Sequence, residues 1–272
     1  MSTLLQTERQ GPAVVVTIDH PPSNLVDRSF LAGLADLLES AEADPSVKTL
    51  VFQSADPDFF LMHGDVEAIL GIPPGAHQPA SQPNAAAALF ERLSLSRLVS
   101  IGAVDGAARG GGCEFLCALD LRLGSPRTVI GQPEVAMGIL PGAGGTVRWP
   151  RLVGRARALE LLLTGRDIEA RECLDIGWLT ALIPSDQVLE EAVRLAQRIG
   201  AMPGPSIAAV KQVVNVSLME LHNPLTVESD ELGRLIAEGG HREPMRRFLD
   251  AGGQTRGGET RRMQEILLAT IG

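Results

Sequence analysis

Two glutamates of this sequence stand near glycine-rich segments and among apolar residues. Glu114 ends the run GAARGGGCE at residues 106–114, and Glu134 ends the run GQPE at residues 131–134. Burial in apolar surroundings disfavours an ionised carboxylate, so the pKa of such a glutamate rises toward the range that suits proton transfer. Either glutamate alone could be a buried ion-pair partner or a helix cap. Together, beside flexible backbone, they favour general acid/base chemistry.

The glycines of residues 106–112 favour a site for negative charge. A predicted strand enters this cluster and a predicted helix leaves it, so the first N–H groups of the helix lack partners within the helix. Adjacent glycines also let a ligand approach the backbone closely. Neither this cluster nor residues 142–146 has the Walker pattern or the dinucleotide-binding pattern of glycines. A tight turn without a ligand is the alternative interpretation.

Three segments resemble, in order and spacing, the central signature of the enoyl-CoA hydratase/isomerase (crotonase) superfamily. They are GGGCE at 110–114, GQPE at 131–134 and PGAGGT at 141–146. Flanking segments agree with the same family: PSNL at 22–25, DLR at 120–122, RLVG at 151–154 and LTG at 163–165. The similarity extends over roughly residues 10–215 and is most specific within residues 98–165.

The resemblance implies a role for each matching residue. The family polarises the thioester carbonyl of an acyl-CoA with two backbone amides, and the matching positions are Gly64 and Gly111. The glutamate that orients and activates water matches Glu114, and the one that exchanges a proton with the α-carbon matches Glu134. The amide that helps to hold the water matches Gly142.

Residues 61–64 depart from the family pattern beside the first of these amides. Met62 and His63 stand where the family has small residues. A histidine titrates near neutrality, so His63 could hydrogen-bond the substrate or the water, or it could be a polar wall residue. We predict Leu25, Met62 and His63 as possible contacts to the substrate or to CoA.

Arg109 also differs from the family, in which many hydratases have an apolar residue at this position. We expect an ion pair with Asp65 or Glu67, with a CoA phosphate as the alternative partner.

The resemblance predicts reversible syn addition of water to a 2-enoyl-CoA by two glutamates and a backbone oxyanion hole. This chemistry requires neither a metal nor a cofactor, since coenzyme A is part of the substrate. An alternative is a 3-enoyl-CoA to 2-enoyl-CoA isomerase, which needs a single proton-shuttling carboxylate. Another is a catalytically weak acyl-CoA-binding member, because Met62 and His63 change the oxyanion segment. The acyl group itself is not indicated by any motif.

The elements around these residues follow a regular order. Hydrophobic runs predict strands at 13–18, 49–53, 99–104 and 121–124, which alternate with helices at 30–41, 86–95, 114–119 and 156–163. Further helices are predicted at 188–199, 207–218, 225–237 and 263–268. This order is typical of an α/β fold. The resemblance refines it to a crotonase-like spiral of ββα units over residues 1–200, with a helical C-terminal region over residues 201–272. A proline-rich loop at 71–84 is expected to border the acyl pocket.

Composition excludes several other classes of function. A formal net charge of −9 argues against nucleic-acid binding, and the absence of tyrosine excludes a tyrosine acid. Three scattered cysteines form neither a disulfide framework nor a metal site. No signal peptide and no membrane-spanning run is recognised, so a cytoplasmic protein is expected. The resemblance implies a homotrimer or homohexamer.

Overall fold

The computed structural model describes residues 4–75, 79–218, 222–261 and 263–271. The strands are β1 (Leu5–Gln10), β2 (Ala13–Ile18), β3 (Thr49–Ser54), β4 (Phe59–Leu61), β5 (Val99–Val104), β6 (Ala107–Arg109), β7 (Leu121–Gly124), β8 (Val129–Gly131), β9 (Ile168–Glu169) and β10 (Ala181–Leu182). The predicted strands are therefore confirmed, and β1 and the short strands β4, β6, β8, β9 and β10 are additional.

The helices are α1 (Arg28–Ala43), α2 (Val66–Leu70), α3 (Ala85–Leu95), α4 (Gly111–Ala118), α5 (Gly145–Val153), α6 (Arg155–Thr164), α7 (Ala170–Asp175), α8 (Val188–Gly200), α9 (Gly204–Ser217), α10 (His222–Glu238), α11 (Arg242–Asp250), α12 (Arg256–Arg261) and α13 (Met263–Ile271). The eight predicted helices are present within a few residues of their predicted bounds, and α2, α5, α7, α11 and α12 are additional. A 3₁₀ turn spans Glu134–Met137. Part of the predicted loop at 71–84, namely residues 76–78, lies outside the described residues.

The strands form two sheets. The larger has the order β1-β2-β3-β5-β7-β10 and the smaller has the order β4-β6-β8-β9. Pairing is parallel except at β1–β2 and β8–β9. From β3 to β8, each turn of the chain adds one strand to the larger sheet, one to the smaller sheet and then a helix or 3₁₀ turn, as in β5, β6 and α4. This repeat confirms the α/β class and the spiral of ββα units.

The first helix after the glycine cluster, α4, is buried along its whole length. Phe115 packs edge-on against Phe30, Phe52 and Phe90, with ring centroids 5.7, 5.1 and 5.5 Å apart. Such aromatic pairs contribute about 0.5–1.5 kcal/mol each beyond their burial. Because α4 is held in the core in this way, any polar side chain on it is removed from bulk water.

Helices α9 to α13 form the helical C-terminal region. A second apolar cluster joins this region to the 3₁₀ turn, through Met137 and Ile139 on one side and Met245, Phe248 and Ile266 on the other. The C-terminal helices therefore close over the end of β8. In the part of the chain that the structure describes, no helix has both the length and the apolar character to cross a membrane.

Candidate active site

Glu114 lies in the first turn of α4 with 3% of its surface exposed. Its Oε1 atom accepts hydrogen bonds from the backbone nitrogens of Ala143 at 2.7 Å and Gly145 at 2.8 Å. Burial raises the pKa of Glu114 to about 7, although the bonds from Gly145 and Ala143 and the positive charge of Arg148 oppose the rise. These donors favour the ionised form. Glu114 is thus a carboxylate that can accept a proton near neutral pH.

Glu134 begins the 3₁₀ turn and is 6% exposed. The side-chain amide of Gln132, oriented with its nitrogen toward the carboxylate, lies 3.0 and 3.1 Å from the two Glu134 oxygens and accepts from Trp149 Nε1 at 3.2 Å. Burial, followed by the negative charges of Glu114 and Glu228, raises the pKa of Glu134 well above its usual range. Glu134 therefore favours the protonated form, whereas the hydrogen bonds to Glu114 favour its ionised form.

Gly64 and Gly111 lie side by side although 46 residues lie between them in the chain. A Cβ atom built on Gly111 would lie 3.3 Å from the backbone nitrogen of Gly64 and 3.3 Å from Val26 Cβ. Val26 donates to the carbonyl of His63 at 3.1 Å, which anchors the segment that carries Gly64. Within the described residues, neither glycine nitrogen has a backbone or side-chain acceptor. The two amides form a pair of free donors at one point.

The two positions that flank Gly111 also require glycine, each because of a different steric contact. Gly110 has a φ of +52°, and a Cβ there would lie 2.8 Å from His63 Cβ and 2.9 Å from Glu134 Oε1. A Cβ on Gly112 would lie 1.9 Å from the carbonyl oxygen of Leu61, a backbone atom that cannot give way without moving β4. The cluster therefore lets α4, β4 and Glu134 converge.

Gly142 lies in the loop before α5. Its carbonyl oxygen accepts from Asn84 Nδ2 at 2.6 Å. Its nitrogen has no acceptor in the described parts of the chain. Leu232 of α10 covers its α-carbon, since a Cβ on Gly142 would lie 2.1 Å from Leu232 Cδ2. A further free donor thus lies one residue from the loop amides that bind Glu114.

Glu228 is a third buried glutamate, and the sequence analysis did not identify it. It is 4% exposed on α10 and accepts from the Gly144 nitrogen at 2.6 Å and from the Thr146 hydroxyl. Burial, then the charge of Glu114, raises the pKa of Glu228 to about 8. It stands in the acidic stretch VESDEL, where nothing local distinguishes it from solvated acids.

The predicted contact residues differ in exposure. His63 is 2% exposed, and its ring nitrogens lie 2.9 Å from the Gly64 carbonyl and 2.9 Å from Glu259 Oε1. Met62 is fully buried, and Leu25 is half-buried against the cluster that contains Met62 and Phe59. Of these three side chains, Leu25 alone presents appreciable surface.

The expected partners of Arg109 were wrong. Its guanidinium forms two hydrogen bonds of 2.8 Å with the carboxylate of Asp167, rather than with Asp65 or Glu67, and donates to the backbone carbonyl of Glu259 at 2.9 Å. The reason is the position of Arg109 at the end of β6, which pairs with β8, where the turn before β9 brings Asp167 alongside. Arg109 is therefore a buried structural ion pair.

The chain is similar to known proteins over most of its length. A family model described as enoyl-CoA hydratase/isomerase matches residues 8–254. A short-chain-enoyl-CoA hydratase of Clostridium acetobutylicum is 29% identical over 245 residues, which cover 89% of this chain and 93% of that protein. A fatty acid oxidation complex subunit alpha of Idiomarina loihiensis is 33% identical over 214 residues; these cover 77% of this chain but 30% of that much longer subunit.

The fold has a close counterpart among solved structures. A crystal structure of a "putative enoyl-CoA hydratase" from Streptomyces avermitilis superposes with a TM-score of 0.88. It is 29% identical, and the match covers 99% of both chains. The similarity therefore includes the C-terminal helices, which the sequence motifs did not reach.

Proposed function

The chain belongs to the enoyl-CoA hydratase/isomerase family, and on that premise we propose that it adds water reversibly to the double bond of a 2-enoyl-CoA thioester. The observation that carries this proposal is the unequal environment of two buried carboxyl groups. Glu114 accepts two backbone N–H bonds, whereas the negative charge of Glu114 adds to the burial of Glu134. Hydration needs one base and one acid at the same pH, and paired carboxyls with divergent pKa values supply both.

The oxyanion hole would be formed by the free amides of Gly64 and Gly111. They would accept the thioester carbonyl oxygen and stabilise the enolate that forms when the β-carbon is attacked. Loss of one such donor typically costs about 2.7–4 kcal/mol of barrier. Gly64 follows β4 and Gly111 begins α4, and the closeness of these two residues supports this role.

The proposed reaction moves one proton onto Glu114 and one proton off Glu134. Water, held by the Gly142 amide, gives one proton to ionised Glu114 as its oxygen bonds to the β-carbon. Protonated Glu134 gives its proton to the α-carbon as the enolate collapses. The product then contains one added water molecule. The enzyme returns to its starting state when the proton on Glu114 passes back to Glu134. The proposed reaction draws on no metal and no redox cofactor, and CoA enters as part of the substrate.

The test is the ultraviolet absorbance of the conjugated thioester, measured with a panel of 2-enoyl-CoAs. We expect the absorbance to fall with the wild-type protein and to stay unchanged with the Glu114→Gln variant. A rise in signal from a 3-enoyl-CoA, with 2-enoyl-CoA unchanged, would instead establish the isomerase. Binding of CoA esters without any change in absorbance would favour a non-catalytic acyl-CoA-binding protein.

We also propose a homotrimer or homohexamer that acts in the cytoplasm. The family resemblance motivates the assembly, and exposed valines on α9 support it: Val210, Val213 and Val214 are 67%, 69% and 52% exposed. Contiguous apolar surface of this kind is typical of interaction sites. Light scattering during size-exclusion chromatography would give the mass directly, and a monomer of 28.8 kDa would refute the assembly.

A further inference from the structure

The imidazole of His63 has a hydrogen-bond acceptor on each side. Nδ1 faces the carbonyl oxygen of Gly64 and Nε2 faces the carboxylate of Glu259, each at 2.9 Å. A carbonyl and a carboxylate can only accept, so both ring nitrogens act as donors and the ring is an imidazolium. The side chains are 3% and 0% exposed. No ring nitrogen is left to take a proton from a substrate or a water, so His63 is not a general base in this arrangement.

Glu259 is itself held from several directions on α12. The Oε1 atom that binds His63 also accepts from the Gln254 nitrogen at 2.8 Å. The backbone carbonyl of Glu259 accepts from Arg109, which is paired with Asp167. The cluster thus contains two positive and two negative groups. Because these charges offset one another, its main effect on the neighbouring site is geometric.

Other residues of this C-terminal segment bind the same stretch of chain. The side-chain oxygen of Gln254 accepts from the Val66 nitrogen at 2.7 Å. The guanidinium of Arg256 pairs with Asp56 and Asp58, at 2.5 Å in each case. Residues 254–259 therefore bind residues 56–66 at both ends and in the middle. That stretch contains Gly64.

We propose that His63 and Glu259 are positioning residues that hold the Gly64 amide in line with the Gly111 amide, so that α12 completes the oxyanion hole. The inference rests on the proposed function. A buried ion pair adds little net stability, because desolvation offsets the attraction between its charges. The pair does fix direction: the imidazolium binds the carbonyl of the residue whose N–H is the donor, and Glu259 fixes the imidazolium.

The decisive probe is butyryl-CoA labelled with ¹³C at the thioester carbonyl. Infrared difference spectra of the bound ester report polarisation of the C=O bond by the two amides, independently of turnover. The variant is Glu259→Leu, which removes the acceptor of His63 Nε2. Glu259→Gln keeps a hydrogen-bonding side chain of the same shape. Arg246→Gln is the control, because this exposed residue of α11 lies in the same C-terminal region but outside the contacts with residues 56–66.

In the wild type we expect the carbonyl stretch to fall to lower frequency on binding. In Glu259→Leu most of that shift should be lost. The kcat with 2-butenoyl-CoA should fall about 10- to 100-fold while KM changes less than about 3-fold, because a misplaced group lowers the rate of the chemical step. Glu259→Gln should recover most of both, and Arg246→Gln should match the wild type. If Glu259→Leu does not fold, the double variant His63→Leu/Glu259→Leu leaves no buried charge unpaired and should show the same loss.

A folded Glu259→Leu variant with the wild-type carbonyl shift and wild-type kcat would overturn the proposal. A wild-type protein that shifts the carbonyl but hydrates no enoyl-CoA would refute the hydratase function, and the comparison of variants would still decide the positioning role. A wild type without any shift would overturn both.

Discussion

Glu114 and Glu228 accept hydrogen bonds from alternating amides of one loop. Glu114 binds the nitrogens of Ala143 and Gly145, and Glu228 binds the nitrogen of Gly144 between them. The loop is thus held by one carboxyl from the buried helix α4 and one from the C-terminal helix α10. The negative charge of Glu114 adds to burial in raising the pKa of Glu228, so the protonation of the second carboxyl group depends on the first.

Replacement of the proposed base and acid should separate chemistry from binding. Glu114→Gln and Glu134→Gln each keep the shape of the side chain but remove proton transfer, which typically contributes about 10²- to 10⁴-fold. We expect a loss of that size in kcat for hydration, with KM nearly unchanged. Glu190→Gln, an exposed site on α8, is the control. Wild-type kcat in both active-site variants would contradict the two-glutamate mechanism.

The rate of hydration should depend on pH as a bell-shaped curve. On the acid side, protonation of Glu114, whose pKa is raised by burial to about 7, removes the base. On the alkaline side, ionisation of Glu134, whose pKa lies well above its usual range, removes the acid. The two limbs belong to the coupled pair. kcat/KM measured from about pH 5.5 to 9.5 tests this, and a rate that rises steadily with pH would contradict it.

The same curve should respond to Glu228. After burial and Glu114, the negative charge of Glu228 is a further cause of the raised pKa of Glu134. Glu228→Gln removes this charge, so the alkaline limb should move to lower pH. An alkaline limb at an unchanged position in Glu228→Gln would show that the two carboxyl groups are not coupled.

Glu228 should also make stability depend on pH. Its pKa is about 8 in the folded protein, against 4.5 as the ordinary value. Because the folded pKa is raised, its contribution to stability is fully present below the ordinary pKa and is lost as pH rises through about 8. Glu228→Gln should therefore gain stability relative to wild type between about pH 5.5 and 8.5, measured by urea unfolding at both values. Glu231→Gln, at a side chain that is 44% exposed on the same helix, should show no such gain. An equal difference at both pH values for Glu228→Gln would contradict the expectation.

Gly112→Ala should destabilise the protein through a backbone contact. The new methyl group would meet the carbonyl of Leu61 at 1.9 Å, and overpacking of a core typically costs about 1–3 kcal/mol. Because Leu61 ends β4 directly before the segment with Gly64, the carbonyl shift of bound butyryl-CoA should weaken as well. Gly204→Ala, where a Cβ meets only Lys48 at 3.9 Å, is the control. If Gly112→Ala unfolds at the same midpoint urea concentration as the wild type, β4 can shift to accommodate the methyl group without loss of stability.

Local sequence was sufficient for the elements with strong patterns. The β-branched run at Ala13–Ile18 and the apolar run at Val99–Val104 form the predicted strands with the predicted bounds. The three-residue strands β4, β6 and β8 were not predicted, because three residues are too few to show an alternating pattern. They form by pairing with one another in the smaller sheet, which brings together residues that are far apart in the chain.

The sequence by itself determined the family, the α/β spiral and the pair of glutamates beside glycines, since each depends on residue types close together in the chain. The tertiary structure decided which distant groups meet. It paired Arg109 with Asp167 and His63 with Glu259, and it brought Glu228 to the loop that Glu114 binds. A charged side chain carries no local sign of its partner, because the choice depends on which elements pack together and on how little water remains between them.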